Sequence, residues 1–256
     1  MRAKILINKN IYAIIILPFE YFVEVAMTLN LFIIGFVLMI ACAFLATEFL
    51  RAFYHKRFKR ALLFKGLASC CFVVLGAYSF ASSEFSVPRL LVFVGLCWGI
   101  IGDEIIALCQ IFPKNDTAYF IGGGAFFIVG HVLYIVAVLM FRGVDAVALV
   151  ASAVLIALLC LVYERSRKYL IGEMKASLLL YIGVVIFFTA VGAGSVFKEG
   201  TLSAVLFTLG GVLFTISDNV LFAFKFGSRP KYHQNVILHV AYYLAQFMIA
   251  FSIAGI

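Results

Sequence analysis

Long apolar runs broken by short polar stretches set the pattern of this chain. A helix that crosses a bilayer needs about 20 predominantly apolar residues. Eight stretches qualify: Ala26–Phe49, Ala61–Ala81, Leu90–Phe112, Tyr119–Phe141, Ala146–Tyr163, Lys175–Phe197, Leu202–Phe224 and Gln234–Gly255. The breaks between them carry turn and charge signals and leave no room for a linker or a soluble domain. A further apolar run, Ile5–Leu17, is too short to span comfortably, and Pro18, Glu20 and Glu24 separate it from the first full helix. Residues 1–25 are therefore expected to form an interfacial or short membrane helix ahead of a transmembrane bundle over 26–256. No small-residue cleavage site follows that run, which argues against a cleaved signal peptide. The predicted fold class is all-α, a polytopic membrane helix bundle of about eight spans.

Composition agrees with the pattern: 65% of residues are hydrophobic, 12% are charged, and the mean hydropathy is +1.14. A soluble domain runs near half apolar and a quarter charged. The net charge of +8 invites a nucleic-acid reading, but the basic residues cluster in alternate short loops. Those after helices 1, 3, 5 and 7 hold most of them, against Arg89, Arg142 and Lys198 on the opposite side. That is the positive-inside distribution of a membrane protein and gives no role to nucleic acid. It predicts a cytoplasmic face for the basic loops and an external C-terminus, while Arg2, Lys4 and Lys9 disagree if only eight helices span. The short loops suggest a bacterial plasma membrane. All six cysteines lie in or beside apolar spans without ligand-like spacing, so they read as small apolar filler.

Against this background the polar residues inside the spans stand out. Asp103 and Asp218 lie roughly 15 and 10 Å from the basic-loop ends of helices 3 and 7, and His131 lies roughly 18 Å into helix 4, at 1.5 Å per residue. On helix 8, Asn235, His239, Tyr242 and Gln246 form a polar stripe at helical spacing. Polar side chains in hydrocarbon face a bundle interior or a water-filled cavity and mark function. His131 shares a helix face with Gly124, Phe127 and Tyr134, and Gly99, Gly102, Gly122–Gly124, Gly210 and Gly211 permit close helix approach nearby. Glu104 adjoins Asp103 but points about 100° away, which suits helix pairing or an interfacial position better than chemistry. His239, nearer the helix end, reads as packing, and Lys65 either snorkels to the surface or meets a lipid phosphate.

The polar landmarks also recur in order. Lys65, Asp103, His131 and Tyr134 are followed after similar intervals by Lys175, Asp218, His239 and Tyr242. An even number of spans keeps such repeats in one orientation, so two parallel four-helix units, residues 26–141 and 146–256, are expected.

These stretches resemble the YhhN/TMEM86 family of multi-pass membrane proteins, whose characterised members are lysoplasmalogenases. The resemblance rests on Gly102-Asp103, Gly122 through Phe127 with Gly130-His131-Val-Leu-Tyr134, Gly210 through Ser217-Asp218 with Leu221 and Ala223, and Tyr242-Tyr243-Leu-Ala-Gln246, with Lys65 and Tyr181 fitting as well. It runs from about Leu62 to Ser252. The chain departs from it at Gly66, where proline is expected, and at Glu104, where a hydrophobic residue is usual. The resemblance implies hydrolysis of the vinyl-ether bond of a lysoplasmalogen, a lysophospholipid of the membrane, to a fatty aldehyde and a glycerophospho-alcohol. Neither a cofactor nor a metal is implied.

Two aspartates suit that chemistry. A vinyl ether hydrolyses by protonation of its β-carbon to an oxocarbenium ion, which water captures as a hemiacetal. The reaction asks for one carboxyl group that carries a proton and one that is ionised, as in glycosidases. The isoleucines around Asp103 make it the expected acid, with Asp218, beside Ser217 and Asn219, as the ionised partner. Lys65 would hold phosphate, while His131, Tyr134, Tyr181, Tyr242, Tyr243 and Gln246 would bind or orient substrate and water. A proton-coupled transporter is the main rival, since buried Asp/His sets and internal repeats also suit transport. An intramembrane aspartyl protease fits less well, because its Gly-x-Gly-Asp signature is only approximated. A zinc hydrolase needs more ligands than His131 and His239 supply, and a retinal protein needs a lysine deep in the last helix.

Overall fold

A computed structural model describes residues 17–143, 146–165, 174–226 and 231–256. Eight helices make up nearly all of them: α1 (Leu17–Tyr54), α2 (Phe58–Ala81), α3 (Val87–Ala107), α4 (Asp116–Arg142), α5 (Ala146–Arg165), α6 (Met174–Glu199), α7 (Leu202–Phe226) and α8 (Tyr232–Ser252). Each of the eight apolar stretches from Ala26 onward falls on one of these helices. Seven are long and apolar enough to cross a membrane, whereas α5 offers only the shorter apolar stretch Leu149–Leu158 among its described residues.

α1 begins earlier than its polar residues suggest. It runs unbroken through Pro18, Glu20 and Glu24. The described helix continues through Pro18 into the apolar residues that follow, so Pro18 does not separate Leu17 from the first span. The expected helix over residues 1–25 otherwise lies largely outside the described residues.

Local chemistry fixes the other ends. Ser86 caps α3, its Oγ accepting from the Arg89 N–H at 3.4 Å, and Pro88 occupies the first turn. Gly143 and Gly200 close α4 and α6 with φ of +76° and +60°, backbone states that a side chain disfavours. The outer surface is greasy: Phe36, Val37 and Phe44 of α1, Val150 and Leu161 of α5 and Leu180 of α6 are all exposed. A helical protein that keeps its polar residues inside and its apolar ones outside is a multi-pass membrane protein.

The helices pack in two similar sets. α3 lies most closely on α4 and α7 on α8, while α2 packs on α8 as α6 packs on α4. The close approaches recur as well. A side chain at Gly95 would come within 3.1 Å of the Gly130 carbonyl, and one at Gly210 within 3.0 Å of the Ala245 carbonyl. One turn-pair along, Gly102 faces the Gly123 carbonyl, and Ser217 Oγ donates to the Leu238 carbonyl at 2.9 Å. Both relations recur at a spacing of 115 residues, the interval from Asp103 to Asp218. At that spacing His131 corresponds to Gln246 and Phe127 to Tyr242. The expected pairings of His131 with His239 and of Tyr134 with Tyr242 are therefore two helical turns out of register.

Candidate active site

The two aspartates, on α3 and α7, sit inside the bundle with different partners. Lys65 and Ser69, one turn apart on α2, both face Asp103. Lys65 Nζ lies 2.7 Å from Asp103 Oδ1 and 3.0 Å from the Asp103 carbonyl, and Ser69 Oγ donates to Oδ2 at 2.8 Å. All three side chains are buried. Lys65 therefore does not snorkel. This buried carboxyl thus has an ammonium and a hydroxyl as partners, the kind of contact that compensates a charge away from water.

Asp218 is buried as well, but its described partner is a phenol. Tyr181 of α6 donates its hydroxyl to Asp218 Oδ2 at 2.8 Å. Within the recurring packing, Lys65 and Tyr181 play matching parts, each reaching from the helix next to the aspartate's own. The cation stands beside Asp103, the expected acid, and not beside Asp218. The described hydrogen bonds of the flanking residues go elsewhere: Ser217 Oγ donates to the Leu238 carbonyl, and Asn219 Nδ2 to the Thr215 carbonyl at 2.7 Å.

One cavity joins the pair. Lys65, Asp103, Ser217, Asp218, Asn235, His239 and Tyr242 line it, and its empty volume is ≈ 910 Å³ with its open mouth included. Most of the remaining wall is apolar and includes Phe49, Phe53, Ile106, Phe120 and Phe127. Its mouth opens between the C-terminal ends of α1, α3 and α7 and the N-terminal ends of α2 and α8, on the side of the basic loops. Lys225 stands there, paired with Asp116 from the first turn of α4, and its ammonium lies 5.4 Å from the Phe120 ring centroid. A mostly apolar pocket with a few convergent polar groups is the usual form of a small-molecule site.

The other predicted site residues divide. Tyr242 lines the cavity and Tyr181 touches it through Asp218. His131 does not line it. That ring is buried among Tyr134, Tyr181, Phe188 and Phe214, its Nδ1–H donates to the Phe127 carbonyl at 2.7 Å, and Nε2 has no partner. Tyr134 and Gln246 meet in the core behind the cavity, 3.4 Å apart, and Gln246 Nε2 reaches the Tyr242 hydroxyl at the same distance. Tyr243 is buried against Tyr242 and His239. His239, expected only to pack, lines the cavity, with its Nδ1–H donating to the Asn235 carbonyl at 2.8 Å and its ring 4.7 Å from that of Phe49.

Two members of the site, Ser69 and Lys225, escape sequence reasoning. Ser69 has a signal in its position one turn beyond Lys65. Lys225 is hidden among loop charges, and only the packing of α7 against the start of α4 reveals its place. Lys175 lies among residues whose side chains are not described. The two departures noted in the sequence face each other: a side chain at Gly66 would come within 3.2 Å of the Glu104 carboxyl. Glu104 thus pairs helices, as expected, occupying room that Gly66 leaves. Among the described residues no three His, Cys, Asp or Glu side chains are grouped to hold a metal.

An acidic pair with unlike partners, in a pocket open to the basic side, lies wholly within the segment that a known family shares. The YhhN family model matches residues 60–253. The chain belongs to the YhhN family. The match takes in both aspartates, their partners Lys65, Ser69 and Tyr181, and the helices from α2, less its first turn, to α8, but none of α1. Comparison with curated proteins finds no match, and neither does comparison with solved structures.

Proposed function

We propose that this protein is a lysoplasmalogenase, which hydrolyses the vinyl-ether bond of a lysoplasmalogen to a fatty aldehyde and a glycerophospho-alcohol. Membership of the YhhN family is compatible with a hydrolase. The observation that carries the reading is the unequal pair of aspartates in one cavity: Asp103 holds a cation and Asp218 a phenol.

That inequality divides the work. An unpaired buried charge is costly, so Asp218 is the carboxyl that carries the proton and Asp103 the carboxylate. Asp218 protonates the β-carbon of the vinyl ether, and the electron pair of the double bond forms the new C–H bond. The resulting oxocarbenium ion faces the Asp103 carboxylate, which takes a proton from the water that adds to it. The hemiacetal then collapses. Its hydroxyl proton returns to Asp218, the carbonyl forms, and the glycerol oxygen leaves with the proton from Asp103. Both carboxyls end as they began, and one water is consumed. Lys65 and Ser69 fix the Asp103 carboxylate, and Tyr181 fixes that of Asp218. Lys225 at the mouth supplies a cation for the phosphate.

In this reading the basic loops face the cytoplasm, the C-terminus lies outside, and the membrane is a bacterial plasma membrane. The direct test is aldehyde release from a lysoplasmalogen by the purified full chain in detergent. Hydrolysis by wild type and its loss in both Asp103→Asn and Asp218→Asn is the expected result. Undiminished hydrolysis in either variant overturns the acid–base scheme. Uptake of substrate into proteoliposomes without aldehyde would make the protein a transporter instead.

A further inference from the structure

Beside the polar cavity lies a second, apolar one. Ile106, Phe120, Phe127 and Leu221 form walls of both. The second runs between α4 and α6, where it is lined by Ile121, Gly124, Ile128, Leu178, Leu180 and Tyr181, and its empty volume is ≈ 820 Å³ with its opening included. Asp218 lines the first cavity and Tyr181 the second, so their hydrogen bond marks the place where the two meet. Ile121 and Leu180 are exposed, so the apolar cavity opens sideways at membrane depth.

Two further observations show that this opening is built and not a packing gap. The first is Gly124. Its neighbour Gly123 is required for packing, since a side chain there would press within 2.7 Å of the Gly102 carbonyl, yet a side chain at Gly124 would meet nothing within 4 Å. A glycine with empty space beside it weakens a helix, and here its effect is to leave the cavity clear. The second is the unequal cover of the two helix sets. α1 packs on both α2 and α8, but α5 packs on α6, and no comparable contact of α5 with α4 occurs among the described residues. Among the described residues the α4–α6 groove has no such cover, where the α8–α2 groove is roofed.

We propose that this groove holds the hydrocarbon chain of the lysolipid, which enters from the bilayer between α4 and α6 past Gly124. The inference rests on the lysolipid reading above. A single-chain amphiphile changes from polar to apolar at its glycerol–chain junction, and in a lysoplasmalogen that junction is the vinyl ether. With the headgroup in the cavity of Lys225 and the chain in the groove, the junction falls beside Asp218.

The test is Gly124→Leu, with Leu180→Trp on the opposite, exposed wall as a second variant that leaves the core untouched. Hydrolysis of substrates bearing an oct-1-enyl or a hexadec-1-enyl chain is measured for each, together with binding of a fluorescent long-chain acyl lysophospholipid that lacks the vinyl ether. The expected result is a fall of about 100-fold in kcat/KM for the long chain, the burial of roughly four methylenes. The short chain should stay within about threefold, and the long-chain probe should bind correspondingly more weakly. Equal loss for both chain lengths, or unchanged binding of the long-chain probe, overturns the proposal. Should wild type hydrolyse neither substrate but bind the long-chain probe in a way that Gly124→Leu and Leu180→Trp abolish, the groove stands and the reaction falls.

Discussion

The α2–α3 and α6–α7 halves of the site are alike in architecture and unlike in charge. Each presents an aspartate one residue beyond a small residue that touches the carbonyl of the following helix: Gly102 against Gly123, and Ser217 against Leu238. Each aspartate is met by a long side chain from the preceding helix. In one half that side chain is Lys65, and in the other Tyr181. In the proposed scheme this difference of partner lets one carboxyl stay ionised while the other holds a proton. The asymmetry that the proposed acid–base pair needs then rests on similar helix packing in the two halves.

The largest effects should fall on the aspartates themselves. Asp103→Asn and Asp218→Asn keep shape and remove the ionisable group, and each should lower turnover by about 10²–10⁴-fold, the usual range for an acid or base. Steady-state aldehyde release measures it. A loss confined to one of the two would break the idea that both halves act.

Stability should separate the halves where activity does not. Lys65→Met leaves a buried carboxylate without its cation, a change that costs about 3–5 kcal/mol. Tyr181→Phe removes one hydrogen bond from a group that needs no counter-charge and should cost about 1 kcal/mol. Denaturant unfolding in detergent reads both. Combining Lys65→Met with Asp103→Asn should recover much of the first loss, because the unpaired charge is then gone. Equal costs for Lys65→Met and Tyr181→Phe would mean that Asp103 is not the charged member.

Packing, by contrast, should look alike in the two halves. Gly95→Ala and Gly210→Ala each drive a methyl group into a neighbouring side chain and carbonyl, and each should destabilise by about 1–3 kcal/mol. Gly124→Ala meets open space and should be neutral or stabilising by up to about 1 kcal/mol. The same unfolding measurement ranks all three.

Much of this architecture is legible in the chain. The helices follow from runs of apolar residues, and the aspartates stand out because a carboxyl in hydrocarbon costs too much to persist without a role. Three features are not legible. Register is obscured because histidine and tyrosine at similar spacings mimic a repeat, while the glycines carry the close contacts. The partners of the aspartates are hidden because sequence neighbours such as Ile100 and Ile105 say little about what arrives from another helix. In a bundle the decisive partner of Asp103 comes from 38 residues away. The start of α1 is hidden because proline and glutamate before an apolar run suit a first helical turn as well as a break.

His131 offers the finest test of the comparison. By sequence it is central, a buried imidazole one layer from Asp103. By structure its ring packs edge-on in an aromatic core, one nitrogen is tied to the Phe127 carbonyl and the other has no hydrogen-bond partner among the described residues. The equivalent position on α8, 115 residues on, is Gln246, which also packs behind the cavity. If the two positions do the same mechanical job, His131→Gln should leave aldehyde release within about threefold of wild type, under 1 kcal/mol of barrier. A proton carrier would behave otherwise, because glutamine cannot titrate. A loss near that of the aspartate variants would put His131 in the proton path after all, and the two halves would then hold a second chemical difference.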